Sequence, residues 1–237
     1  MKLFELAFVC RLYEPFGDYD SSLKKFREIV GSALEVQDAA HRRALFVWLR
    51  KWGCRQFGKA HEGMAGNALL AWAEQSLGAL PSPRVPLLNL SPTAIRNAAG
   101  AYEDLRDRRA SRQERKSGPC LVTFGPAGAA KTLFALRPNS LPPWDDAIRE
   151  RLGYDESAGS YARFLVEAQG HLREALEEAA RFGIAPDDLP SVLGRSESSL
   201  AKLVDEYFWV TITNGCTPPD RSDLVRWLTW MDGKQGH

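Results

Sequence analysis

Apolar residues recur at helical spacing along most of the chain. Ser22–Val30 carries Leu23, Phe26 and Val30 on one face, with Asp20 or Ser21 ahead of it as a cap. A longer helix is expected from Val36 to Gln56, where Leu45, Phe46, Trp48, Leu49 and Trp52 are dense enough to be buried. Gly63–Leu77 repeats the pattern and Gly78 ends it. Pro81, Pro83 and Pro86 then break the chain, and Ser91-Pro92 opens a helix running to about Arg109 and trailing into charged Ser111–Gly118. Cys120–Phe124 is apolar but too short to assign. Phe124–Leu136 and Trp144–Leu152 read as short helices, and Ser157–Phe182 as a long amphipathic one stopped by Gly183. Glu197–Trp209 and Pro219–Met231 close the chain, and Tyr207–Thr213 is the one β-rich run. Such a pattern predicts an all-α fold. It divides into an N-terminal helical lobe (residues 1–80), a Pro-rich connector with a charged helix (81–118) and a C-terminal helical lobe (119–237), which together are compatible with one compact domain.

Composition narrows the function classes. With 44% hydrophobic and 26% charged residues and a net charge of +1, the 237-residue chain is neither disordered nor a polybasic or polyacidic protein. The charge is unevenly placed. His41–Ala60 holds Arg42, Arg43, Arg50, Lys51, Arg55 and Lys59 without an acid, and Leu105–Lys116 holds six cations against Asp107 and Glu114. Glu167–Asp188 is acidic. The two basic patches suit a phosphate backbone, although each alone is more simply a solvated helix face. Cys10, Cys54, Cys120 and Cys216 stand far apart, and the four histidines lack metal-ligand spacing. Neither a disulfide framework, a bound metal nor a cofactor is therefore expected. Met1–Cys10 lacks the core and cleavage site of a signal peptide, no segment reads as membrane-spanning, and a cytoplasmic location is expected.

The informative stretch is Phe124 to Gly153, which includes FGPAGAAKT and WDDAIR. One reading is a phosphate loop, Gly125 to Thr132, in a protein that binds ATP through Lys131. Ala130 stands where that pattern wants glycine, and no parallel strands are expected behind it. Asp205-Glu206 imitates the accompanying acid pair but falls in a helical run.

The same stretch resembles the helix–hairpin–helix DNA glycosylase superfamily. In that family a Gly-rich turn opens a helix whose amides hold a DNA phosphate, and an aspartate at the next helix start does the chemistry. The resemblance rests on about 30 residues: Gly125 and Gly128 at the turn, and Trp144-Asp145-Asp146-Ala147-Ile148-Arg149 in the aspartate stretch. A looser likeness covers Trp52-Gly53-Cys54-Arg55. It implies two helical lobes around a basic cleft that binds double-stranded DNA, with no membrane or obligate protein partner. Asp145 takes the catalytic position. Gly125, Gly128, Ala129, Ala130, Lys131 and Arg149 are the expected phosphate contacts, and Trp52, Gln56, Trp144 and Trp209 the candidates for a base pocket. An ionised carboxylate there stabilises an oxocarbenium-like sugar or activates water, with no metal required. The excised base would be damaged, as in repair, or a hypermodified cytosine of phage DNA, as in antiviral defence. Two other readings stay open: a DNA-binding module without catalysis, in which Asp145 is only a helix cap, and the phosphate loop.

Overall fold

Ser91 does cap a helix: its hydroxyl accepts the Ala94 amide at 3.1 Å, and Pro92 fills the first position. The same device recurs at Asp38, Asp145, Ser157 and Ser199, each of which accepts an amide two or three residues on. In this computed structural model residues 1–14, 18–115, 118–220, 222, 223, 225 and 226 are described. The helices are α1 (Leu3–Tyr13), α2 (Asp18–Val30), α3 (Ala39–Lys51), α4 (Glu62–Ser76) and α5 (Pro92–Asp107). After a pair of strands come α6 (Gly125–Leu136), α7 (Asp146–Arg151), α8 (Ala158–Arg181), α9 (Leu189–Val192) and α10 (Leu200–Phe208). The structure is thus mostly helical, as the periodicity indicates. The expected helix Pro219–Met231 lies for the most part outside the described residues.

Three stretches differ from expectation. Within the N-terminal stretch Leu3–Tyr13 forms α1, which packs on α8 and α10. The charged tail of α5 is a strand, β1 (Arg109–Arg115), paired antiparallel with β2 (Gly118–Thr123). A two-stranded ribbon is marginal by itself; this one buries Ala110 and Ser111 and packs on α4. The β-rich run Tyr207–Thr213 instead finishes α10 and continues as a wide π-helical turn, in which the Asn214 amide reaches back five residues to the Trp209 carbonyl at 2.9 Å.

The ribbon also revises both readings of the Gly125 segment. Among the described residues β1–β2 is the only sheet, so no parallel strand stands behind Gly125 and the phosphate-loop reading has no support. Nor is the element ahead of Gly125 a helix: β1 and β2 intervene between α5 and α6, which pack against each other.

One hydrophobic core runs from Met1 to Phe208 through both expected lobes and takes Leu87 and Leu90 from the connector. Trp48, Trp72, Trp144, Tyr102 and Tyr161 are fully buried within it. Arg137 and Asn139, just after α6, bond the carbonyls of Pro81 and Pro83, which fastens the connector to the segment leading to Asp145.

Ahead of α8 Asp155 accepts the Ser157 amide and the hydroxyls of Ser157 and Ser160. These donors, the Ser157 hydroxyl first, hold its carboxyl down at about 2. A depressed carboxyl contributes stability above the ordinary aspartate range, and that stability is lost as pH falls toward its folded value. Denaturant titrations between about pH 4 and pH 2 should therefore show a shallower loss of stability in Asp155→Asn than in wild type. Equal slopes would remove Asp155 from the acid transition.

Candidate functional site

Three separate chain breaks converge on one cavity of about 540 Å³. The first is the end of α3, where Trp52, Gly53, Cys54 and Gln56 line the wall. Gly53 has φ of +87°, a left-handed value that turns the chain off the helix. The second is the start of α6, from Phe124 to Gly128 with Lys131 one turn on. The third is Pro143–Ala147 at the start of α7. Tyr13 of α1, Tyr19 of α2, Asp205 of α10, and Trp209 and Thr213 of the π-helical turn close it. The size suits a nucleobase and its sugar.

Asp145 caps α7. Its Oδ1 accepts the Ile148 amide at 2.9 Å, and its Oδ2 accepts the Thr213 hydroxyl at 3.1 Å. The side chain is half-buried on the cavity wall, oriented from both sides by groups that leave it an acceptor. Asp146, the other acid considered for the cap, is exposed and pairs with Arg149 at 3.2 Å.

The start of α6 differs from the expected phosphate cradle. Gly125 has φ of +67°, which reverses the chain out of β2. A helix beginning there uses the amides from Gly128 onward for its own bonds. Ala129 and Ala130 are fully buried, so they and Gly128 offer no amide to a phosphate. The amides of Gly125 and Ala127 are left by the helix ladder, since Pro126 has none. The reason for glycine at 128 is packing: a Cβ there would lie 2.8 Å from Gln56 Nε2 and 3.2 Å from the Phe57 ring. Gln56 in turn donates to the Phe124 carbonyl. Gly128→Ala should then cost about 1–3 kcal/mol, the usual range for overpacking. Chemical denaturation checks this; a change below about 0.5 kcal/mol would mean that Gln56 and Phe57 yield freely.

Lys131 reaches across the cavity wall to donate to the Trp52 carbonyl at 2.6 Å. Its ammonium lies 5.9 Å from the centre of the Trp52 ring. Trp52 itself stacks on Phe134 at 6.1 Å and donates to Ser22 Oγ at 3.1 Å. Trp209 meets Tyr13 and Tyr19 edge-on at 5.5 and 5.3 Å. Trp144 also lines the cavity but is 1% exposed, packed against Tyr161 and Phe164; it anchors the Asp145 segment rather than offering a stacking face. Arg149 is turned inward between Asp146 and Glu156, at 3.2 and 3.5 Å, and serves as an internal counter-ion, not a phosphate contact.

The cavity lining is acidic rather than basic. Lys131 is its single cation, against Asp145, Asp146, Glu156 and Asp205. The basic patches lie elsewhere and are partly satisfied within the fold. Arg50 pairs with Glu62 at 3.1 Å, Arg42 bonds the carbonyls of Val36 and Gln37, and Arg108 pairs with Asp104 at 2.8 Å. Lys51, Arg55, Lys59 and Arg109 are exposed.

Behind Tyr13 and Asp205 sits a buried ionic group that the sequence reading passed over. Lys202, 1% exposed, donates to Asp205 Oδ2 at 2.7 Å and to the Tyr13 hydroxyl at 3.1 Å, with Glu206 Oε1 at 3.5 Å. Arg195 joins Glu206 and Asp20, each at 2.6 Å. Burial pulls the Lys202 ammonium down, but Asp205 and Glu206 outweigh it and the group is held above its ordinary value. Burial pushes Asp205 up, with Lys202 opposing. The nearby Cys10 thiol is pushed up to about 12, chiefly by burial, which keeps it an unreactive core residue. The one sequence signal for this group was the run Lys202-Leu-Val-Asp205-Glu206, whose charges recur at helical i,i+3 and i,i+4 spacing on an apolar helix.

Among the described residues no group of three His, Cys, Asp or Glu side chains is placed to hold a metal ion, and no helix is long and apolar enough to cross a membrane. Comparisons with protein-family models, curated proteins and solved structures find no match for this chain.

Proposed function

We propose that the protein is a DNA glycosylase that hydrolyses the N-glycosidic bond of a flipped-out damaged or modified base and leaves an abasic site. The observation that carries this is the convergence of Asp145, Lys131, Trp52, Gln56 and Trp209 from four separate stretches on one cavity of nucleotide size. Nothing in the spacing of these residues along the chain obliges them to meet.

In this reading the sugar of the extruded nucleotide lies against Asp145. As the bond to the base breaks, positive charge builds on the sugar, and a fixed carboxylate at that point stabilises it. Thr213 and the Ile148 amide hold the carboxylate in place, so little reorganisation is needed as charge develops. The carboxylate can also orient water and take its proton as the water oxygen bonds to the anomeric carbon and the base departs with the electrons of the broken C–N bond. Phosphates flanking the flipped nucleotide would meet the amides of Gly125 and Ala127 and the exposed cations outside the acidic cavity. The cost of taking a base out of its stack is a few kcal/mol, offset by aromatic contact within the pocket. Repair and phage defence are both compatible biological settings for this chemistry.

The test is abasic-site formation on duplexes carrying alkylated, deaminated, oxidised or phage-type modified cytosine bases, by wild type and Asp145→Asn. Release by wild type that is lost in the variant supports the reading and names the substrate. The capping role of Asp145 favours a second reading, a DNA-binding module without catalysis. Salt-sensitive DNA binding with no release from any duplex would select it.

A further inference from the structure

We propose that Asp205 and Tyr13 form the base-reading edge of the cavity, selecting a nucleobase that presents an N–H or amino donor to Asp205 beside an acceptor for the Tyr13 hydroxyl. The inference rests on the reading of the cavity as a base pocket and adds to it the groups that choose the base.

Asp205 is 7% exposed and Tyr13 3% exposed, yet both line the cavity, so the little surface they keep faces its interior. Both are held by one ammonium, which lies behind them and does not line the cavity: Lys202 Nζ is 2.7 Å from Asp205 Oδ2 and 3.1 Å from Tyr13 Oη. This leaves specific valences open. A carboxylate oxygen pair accepts several hydrogen bonds, and here Lys202 occupies Oδ2, while Oδ1 has no hydrogen-bond partner among the described residues. Asp205 lines the cavity, so this open acceptor belongs to a residue of its wall. Tyr13 receives a hydrogen bond on its oxygen from Lys202, and its own proton is then free to donate. An acceptor and a donor thus stand side by side at one end of a cavity walled by Trp52, Trp209 and Tyr19.

That arrangement matches the edge of a base and not a phosphate or a sugar hydroxyl alone. A phosphate would meet a carboxylate at its approach. An apolar ligand would leave Asp205 Oδ1 desolvated without a partner, which a buried acceptor tolerates poorly. A planar ring lying against the aromatic walls, with a ring N–H or amino group toward Asp205 and a carbonyl or ring nitrogen toward Tyr13, satisfies both groups. The rigidity of the pair follows from the ionic group behind it: Lys202 is fixed further by Glu206, which Arg195 holds.

The experiment uses the full chain and deoxynucleosides as probes, since these carry no proton on the glycosidic nitrogen, followed by ligand-observed NMR titration. Deoxyadenosine is compared with purine deoxyriboside, which lacks the amino donor, and deoxyuridine with 3-methyldeoxyuridine, whose one ring N–H is blocked. Wild type is expected to bind the donor-bearing member of each pair at least about tenfold more tightly, the worth of a hydrogen bond to a charged acceptor. Asp205→Asn should lose most of that preference. Asp20→Asn disturbs the same ionic group without touching the cavity and should keep it. Equal binding within each pair by wild type, or no binding of any deoxynucleoside, overturns the inference, and this outcome does not depend on whether Asp205→Asn folds. An unchanged preference in a folded Asp205→Asn overturns it too. The two proposals fail separately: base release from DNA without donor preference would sink this one alone, whereas donor-selective binding with no base release would sink the glycosylase reading alone.

Discussion

Asp145→Asn is expected to release base from a substrate duplex about 100- to 1,000-fold more slowly than wild type while folding normally, the loss typical of removing one preorganised charge-stabilising group. The substitution isolates charge because of the particular place of Asp145. Its Oδ1 caps α7 through the Ile148 amide, and asparagine caps a helix about as well as aspartate. The amide oxygen can still accept from Ile148, and the Thr213 hydroxyl keeps a neighbour at the other position. What disappears is the negative charge facing the cavity. A change in stability within about 1 kcal/mol is expected, from the lost interaction with the N-terminal end of α7. Asp145→Ala serves as the contrast: it removes both charge and cap and should cost about 1 kcal/mol as well as activity. Single-turnover rates and denaturation curves for the three proteins separate the roles. A folded Asp145→Asn with wild-type rates of base release would reduce Asp145 to a cap and end the proposed mechanism.

Lys202→Met is expected to produce the largest loss of stability, about 3–5 kcal/mol. Methionine nearly matches the lysine stem in volume, so the effect is not one of packing. Lys202 is 1% exposed and sits between Asp205 and Glu206, themselves 7% and 0% exposed. Without the ammonium, Asp205 keeps no cation bonded to it among the described residues, and Glu206 keeps Arg195 at 2.6 Å. A buried carboxylate stripped of its partner must either remain charged in a poor solvent or take up a proton. For a domain of this size the loss corresponds to a fall of about 10 °C in melting temperature. The destabilisation should shrink as pH is lowered, because protonation removes the charge that Lys202 had compensated. Thermal melts at neutral and mildly acidic pH check both statements. A variant as stable as wild type would mean that the group contributes specificity rather than stability, as some buried ion pairs do.

Much of the helical framework was legible without coordinates. The expected starts at Ser91 and Ser157 stand as caps, and Gly183 ends α8 with φ of +73°. These are local signals: a hydroxyl within reach of an amide, a residue tolerant of left-handed backbone, and apolar positions every third or fourth residue. Asp145 as a cap was likewise one of two readings available from its place at a helix start. The β1–β2 ribbon was not legible, because its first strand is rich in charged residues and owes its form to a partner strand and to α4. The run Tyr207–Thr213 misled for a related reason: β-branched and aromatic residues fit a strand, but here they pack around α1 and α7.

By itself the sequence determined where several helices lie and which residues cap them, which faces are apolar, and which short stretch carries a carboxylate, a lysine and a glycine turn close together. Those are matters of neighbours within about four residues, where backbone hydrogen bonds and side-chain spacing are set. Only the tertiary structure decided that Trp52, Lys131, Asp145, Asp205 and Trp209 share one cavity. It also decided that Arg149 faces Asp146 and Glu156, that the cavity is lined mainly by acids, and that Lys202 is buried beneath it. Which charge is buried and which is exposed depends on contacts between residues as much as 189 positions apart, such as Tyr13 and Lys202. Such contacts follow from how whole helices pack, and no local pattern records them.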